Sequence, residues 1–265
     1  MAQSHPRAQL PNSEEHLLRS RYTGRKYQID VLLPGSYATS QQSYPVVYLL
    51  DGEFTLGMAS SLTGMRHPLG AAPEVIVVAI QMLVEPGEDF WHLREIDFKV
   101  PGVQDAPAES RADLFLATLQ EEILPLVETD YRANPNERIL YGYSSSGFFT
   151  LYTLLSQPSL FRTYLAGSPD TDLSASYWTA NDQKMLSRPK PASIDVFISI
   201  GSMENGRFQS SQGSYQELLI NIQATACPGL RLVSEVYPNE DHGAVGIVLT
   251  FLNGLHQCFP TTQQD

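Results

Sequence analysis

Cysteine is nearly missing: Cys227 and Cys258 are the only two in 265 residues. Two thiols make no disulfide framework, so free buried thiols are expected. Paired-cysteine spacings and the His-Glu-x-x-His pattern are absent, and the six histidines are scattered, so no metal site and no cofactor are expected. No apolar run approaches the roughly 18 residues that a membrane helix needs. Basic residues are few, 17 Lys and Arg against 29 Asp and Glu, which leaves a net charge of −12. Such a surface repels polyanions, so neither nucleic acid nor anionic membrane is an expected partner. The charge names no substrate, because salt screens it beyond about 8 Å. Residues 1–21 are polar and lack the apolar stretch of a signal peptide, which gives the expectation of a cytoplasmic protein.

What is present is the balance of an ordinary globular protein. Hydrophobic residues make up 42% and charged residues 17%, enough apolar surface to bury a core. The expected organisation is a polar N-terminal segment, 1–21, followed by one domain, 22–265. Short β-branched runs at 26–33, 44–50 and 74–80 read as strands, the last apolar enough to be buried on both faces of a parallel sheet. Leu114, Leu116, Leu119, Ile123, Leu126 and Val127 mark a helix, with Pro125 bending its end. Strands follow at 138–143, 163–166, 195–200 and 231–237, and helices at 147–155, 214–224 and 244–255. This alternation predicts a mostly parallel central sheet with helices on both faces. Two segments break it, 86–109 and 170–191. Both read as loops and carry aromatics: Phe90, Trp91, Tyr177 and Trp178. Such loops often gather at binding sites, and these four residues are the expected substrate contacts.

The chemistry concentrates at Arg138-Ile-Leu-Tyr-Gly142-Tyr-Ser144-Ser-Ser-Gly147. A strand runs into a helix through small residues, the context of a nucleophile elbow. The positions two before and two after the nucleophile must be small, because the strand and helix backbones approach closely there. Ser144 has Gly142 and Ser146. Ser145 would have Tyr143 on one side, and Ser146 would have Phe148 on the other. Ser144 is therefore the expected nucleophile. A serine needs a base, and His242, in Pro238-Asn-Glu-Asp-His242-Gly243 after the last strand, satisfies the order nucleophile, acid, histidine. The acid is expected after the preceding strand, at Glu204. Asp170 follows an earlier strand, and Asp241 adjoins the histidine itself. The oxyanion hole needs two backbone N–H groups, one from Ser145 and one from the loop Asp51-Gly52-Glu53, with Glu53 or Gly52 as donor.

In order along the chain, several further motifs stand around this set: Tyr44-Pro-Val-Val-Tyr-Leu-Leu-Asp-Gly52, Ile76-Val-Val-Ala-Ile80, Glu122-Ile-Leu-Pro125 and Tyr131-Arg-Ala-Asn-Pro135, then Leu151-Tyr-Thr-Leu-Leu155, Gln157-Pro158, Phe161, Ser168-Pro169 and Glu240-Asp-His-Gly243. From about residue 22 to 251 they resemble the putative-esterase family of α/β-hydrolases, most of all its siderophore-ester hydrolase branch. The resemblance implies an α/β-hydrolase fold, with Ser144 at the nucleophile position, His242 at the base and Glu204 at the usual acid position. Some relatives are similar to Ser-His dyads. The family often has histidine before the nucleophile and a glycine pair after it; here Tyr143 and Ser146-Gly147 stand instead, a departure that bears on substrate class more than on chemistry.

The expected function is serine hydrolysis of a small carboxylic ester through an acyl-enzyme, with a siderophore-like or bulky aryl substrate. Two alternatives stay open: an acyltransferase using the same acyl-enzyme, and a non-catalytic binding or sensor protein on the same fold. Oligomeric state is not set by the sequence.

Overall fold

The structure, a computed structural model, describes residues 10–66, 74–103, 106–170, 193–204, 212–224 and 229–259. Eight strands form one sheet: β1 (Ser13–Arg19), β2 (Lys26–Leu32), β3 (Tyr44–Leu49), β4 (Ile76–Leu83), β5 (Ala133–Tyr143), β6 (Thr163–Gly167), β7 (Ile194–Gly201) and β8 (Leu230–Tyr237). Their spatial order is β1-β2-β4-β3-β5-β6-β7-β8. β1 and β2 run antiparallel to their neighbours, and every pairing from β4 to β8 is parallel. This is the expected α/β-hydrolase architecture.

The helices are α1 (Gly52–Arg66), α2 (Phe90–Phe98), α3 (Ala112–Thr118), α4 (Leu124–Asp130), α5 (Ser145–Ser156), α6 (Gln212–Ala224) and α7 (Ala244–Cys258). The period of two in the strands explains how one sheet serves two cores. Val46, Tyr48 and Leu50 face the layer of α3, α4, α5 and α6, where Phe115, Ile123, Phe149 and Leu218 are buried. Val47 and Leu49 face the layer of α1 and α7, against Ala59, Phe251 and Leu255. A strand buried on both sides has no polar face to show, hence the continuous apolar runs.

Four elements differ from the sequence expectation, the first of them α1, where the turn at 51–53 runs on as a helix. The polar stretch 13–19 is an edge strand, β1, whose pairing with β2 uses backbone groups and so needs no apolar pattern. Segment 86–109 is not all loop, because it contains α2. Asp89 caps that helix, its carboxylate accepting from the N–H groups of Trp91 and His92, as N-cap aspartates do. The helix expected to bend at its end near Pro125 runs on to Asp130. A π-helical turn at Leu119–Ile123 precedes it, with Leu124 N–H bonded to the carbonyl of Leu119. Proline has no N–H to lose at the start of α4, and the wide turn relieves its ring against the preceding carbonyls.

Candidate active site

Ser144 joins β5 to α5 at φ 62° and ψ −127°, a backbone region that costs a non-glycine residue energy and persists only where its surroundings hold it. They do. Its N–H donates to the Gly167 carbonyl at 2.9 Å, and its own carbonyl accepts from Phe148 N–H at 2.9 Å, which opens the helix. Gly142 is obligatory, since a Cβ there would lie 2.2 Å from the Ser146 carbonyl oxygen. Gly147 has the same role against β6, where a Cβ would meet the Gly167 carbonyl at 2.7 Å. Ser144 is half-buried, whereas Ser145 and Ser146 are buried.

The two neighbouring hydroxyls are turned away and occupied. Ser146 Oγ donates to Asp51 Oδ2 at 2.6 Å and accepts from Tyr143 N–H at 2.8 Å. Its hydroxyl thus replaces a missing backbone partner at the elbow, which is why a serine fits where the family often has glycine. Ser145 Oγ donates to Glu95 Oε1 at 2.6 Å.

A charged cluster supports this turn from below, and the sequence reading missed it because it comes from α2. Arg94 makes a two-pronged bond to Asp51, 2.7 Å at both oxygens, and reaches the Tyr143 carbonyl at 3.2 Å. Lys99 pairs with Asp170 at 2.9 Å and Glu95 at 3.3 Å. Burial alone would lower the Lys99 ammonium pKa, but Asp170 and Glu95 outweigh it and hold the pKa above the ordinary value. The Asp89 cap followed by Trp91 and Arg94 on one short helix, with Lys99 just past its end, was the available signal.

Glu204 and His242 follow adjacent parallel strands, β7 and β8. Their loops are tied together: Ser202 N–H donates to Tyr237 and Met203 N–H to Glu240, each at 2.9 Å. Gly201 permits this, because a Cβ there would sit 2.3 Å from the Glu240 carbonyl oxygen. The result brings His242 Nδ1 to 2.9 Å from Glu204 Oε2. Burial alone would raise the Glu204 pKa, but hydrogen bonds from His242, Ser168 and Gly201 N–H outweigh it and hold the carboxyl below its usual range. A carboxylate at Nδ1 directs the imidazole proton there and leaves Nε2 as the basic nitrogen. Asp170 faces Lys99 and Ser145, on the α2 side of the elbow.

Of the expected oxyanion donors, Ser145 opens α5, where first-turn N–H groups have no partner within the helix. Glu53 lies in the first turn of α1, behind Asp51 at φ 53°. Its carboxylate accepts from Met82 N–H at 2.7 Å and also faces its own N–H. Phe90 and Trp91 start α2 and meet Phe54 of α1. Phe54 and Trp91 stack at 5.7 Å with planes 7° apart, and Phe90 sets its edge against both. Tyr177 and Trp178 lie outside the described residues.

Comparison with known proteins identifies the family. The family model described as putative esterase matches residues 20–226. The chain belongs to the putative-esterase family. The esterase is 27% identical to the ferri-bacillibactin esterase BesA of Bacillus subtilis over 256 residues, 91% of this chain and 87% of that protein. It is also 27% identical to the siderophore triacetylfusarinine C esterase of Aspergillus fumigatus over 211 residues, 74% of this chain and 69% of that one. Among solved structures, the BES protein from Bacillus cereus superposes with a TM-score of 0.79 at 21% identity, covering 95% of this esterase and 97% of that chain. The siderophore hydrolase EstB from Aspergillus nidulans gives 0.77 at 23%, covering 98% and 99%. Among the described residues no helix is long and apolar enough to cross a membrane.

Proposed function

We propose that the protein is a serine esterase in which Ser144 is the nucleophile, His242 the general base and Glu204 the acid that orients it. The 2.9 Å contact of His242 Nδ1 with Glu204 carries this reading, together with a strained Ser144 at a strand-to-helix elbow whose preceding residue, Tyr143, packs its ring against His242. Ser144 Oγ attacks the ester carbonyl carbon while His242 Nε2 takes its proton. The N–H groups of Ser145 and Glu53 hold the oxyanion, and for this the Glu53 carboxylate swings off its own N–H. The tetrahedral intermediate collapses with cleavage of the ester C–O bond, and the imidazolium protonates the leaving alkoxide. Water, deprotonated by His242, then attacks the acyl-enzyme, and Ser144 leaves with the proton. These steps use side chains and backbone groups alone.

The substrate we propose is a small siderophore-type or other bulky aryl ester. The names of the relatives favour the first, and the Phe54, Phe90 and Trp91 surface favours an aromatic group. That surface lies beyond the carboxyl ends of β3 and β4, where open α/β sheets bind ligands. Trp91 is 60% and Phe54 50% exposed, apolar area that a substrate ring would cover.

Fluorophosphonate labelling of wild type, Ser144→Ala, Ser145→Ala and Ser146→Ala tests the assignment. Label on wild type and the last two, with none on Ser144→Ala and turnover reduced about 10⁶-fold, is the expected result. Labelling that survives in Ser144→Ala overturns it.

A further inference from the structure

The proposed mechanism uses only one oxygen of Glu204. The other, Oε1, accepts from the Ser168 hydroxyl at 2.5 Å and from Gly201 N–H at 2.8 Å. The Ser168 hydroxyl in turn lies 3.0 Å from that of Tyr143. Ser168 has one proton, and the ionised carboxylate can only accept. Ser168 therefore donates to Glu204, and the same hydroxyl is turned toward the Tyr143 oxygen, so that the phenol, Ser168 and the carboxylate form one hydrogen-bonded group. Burial keeps the phenol protonated, with its pKa raised well above the usual tyrosine value. The Tyr143 ring also packs against His242, with centroids 5.2 Å apart and planes inclined at 49°. One side chain thus meets the base directly and the acid through a single hydroxyl.

Two glycines leave room for this tyrosine. A Cβ on Gly246 would come within 2.4 Å of its hydroxyl oxygen, and one on Gly167 within 2.4 Å of its Cδ2. Gly167 is its neighbour on β6, and Gly246 lies in the first turn of α7, just after His242. Ser168 is held in turn by its backbone N–H on the Ser199 carbonyl at 2.7 Å, at φ 36°. Three elements, β5, β6 and α7, therefore converge on the tyrosine's position.

We propose that Tyr143 is a positioning residue of this esterase, acting through Ser168 to fix the Glu204 carboxylate in line with His242 Nδ1 while its ring supports the imidazole. The proposal rests on the reading of Ser144, His242 and Glu204 as the hydrolytic set. A carboxylate held at one oxygen can rotate about its Cγ–Cδ bond. Gly201 N–H and the Ser168 hydroxyl together hold Oε1, and the orientation of the histidine follows from the carboxylate they fix.

The test is a mutant cycle read as kcat and KM for para-nitrophenyl butyrate, with fluorophosphonate labelling of wild type alongside. Tyr143→Phe keeps the ring and removes the hydroxyl. It should lower kcat about 10-fold, the scale of one hydrogen bond to a charged group, with KM within about twofold. Placed in a Glu204→Gln background, it should lower kcat by less than about twofold, because the group it acts through is already gone. Ser168→Ala should behave the same way, and it carries the same cycle if Tyr143→Phe does not fold. Wild-type kcat in the single variants, or losses that multiply with that of Glu204→Gln, overturns the proposal and leaves the hydrolase reading intact. A wild-type protein that neither labels nor turns over ester overturns both.

Discussion

Three consecutive serines at the elbow differ in where their hydroxyls go. Ser145 and Ser146 donate to carboxylates of α2 and the β3 end, Glu95 and Asp51, while Ser144 holds the strained φ. At the same scale, Glu204 shows how a buried carboxylate stays charged, since three donors outweigh the cost of burial. The sign of its pH effect follows. A folded-state pKa below the unfolded value of about 4.3 means the stabilisation is full above that value and is lost as pH falls through the depressed one. The melting temperature of wild type should therefore drop more steeply below about pH 4.3 than that of Glu204→Gln. Parallel acid limbs in the two proteins would contradict it.

Among the elements, α2 does most to hold the elbow in place. Its Arg94 binds Asp51 at the end of β3 and the carbonyl of Tyr143 at the end of β5, so one guanidinium spans two neighbouring strand ends. Arg94→Ala would leave Asp51 buried without its partner, at a cost of about 3–5 kcal/mol. For a chain of this size that is a fall of roughly 10 °C in melting temperature. Arg94→Lys should recover only part of it, because an ammonium cannot make the two-pronged bond. Calorimetry on the three proteins decides this, and an Arg94→Ala melt at the wild-type temperature would show that the clamp contributes nothing.

Across the whole molecule, the parallel strands set the site at their shared carboxyl-terminal side of the sheet. β3, β5, β7 and β8 all end where Asp51, Ser144, Glu204 and His242 begin, and α1 and α2 start beside them with Phe54, Phe90 and Trp91. An aromatic surface on that side should select substrate rather than speed the chemistry. Trp91→Ala and Phe54→Ala are expected to raise KM about 10-fold for a bulky aryl ester, with kcat nearly unchanged and little effect on ethyl acetate. Equal KM increases for both esters would remove the surface from substrate recognition.

The sequence by itself determined the parallel core and the place of the elbow, because both follow from local rules. Strands buried on two faces must be apolar, as over 76–80, and a sharp strand-to-helix turn must carry small residues, as at Gly142 and Gly147. Strand order also put Glu204 and His242 on the loops after β7 and β8. What the tertiary structure alone decided depends on residues far apart in the chain. Edge strand β1 is held by backbone bonds that leave no hydrophobic period. Helix α2 is short and looks like loop until Asp89 caps it and Arg94 finds Asp51, 43 positions earlier. Chain order favours Glu204 over Asp170 as the acid without excluding the second, and pairing with Lys99 turns Asp170 away while the joined loops of β7 and β8 bring Glu204 to His242. The seat of Tyr143 needed glycines from β6 and α7, 24 and 103 positions away. Packing across such separations is set by the closed three-dimensional contact and not by any period along the chain.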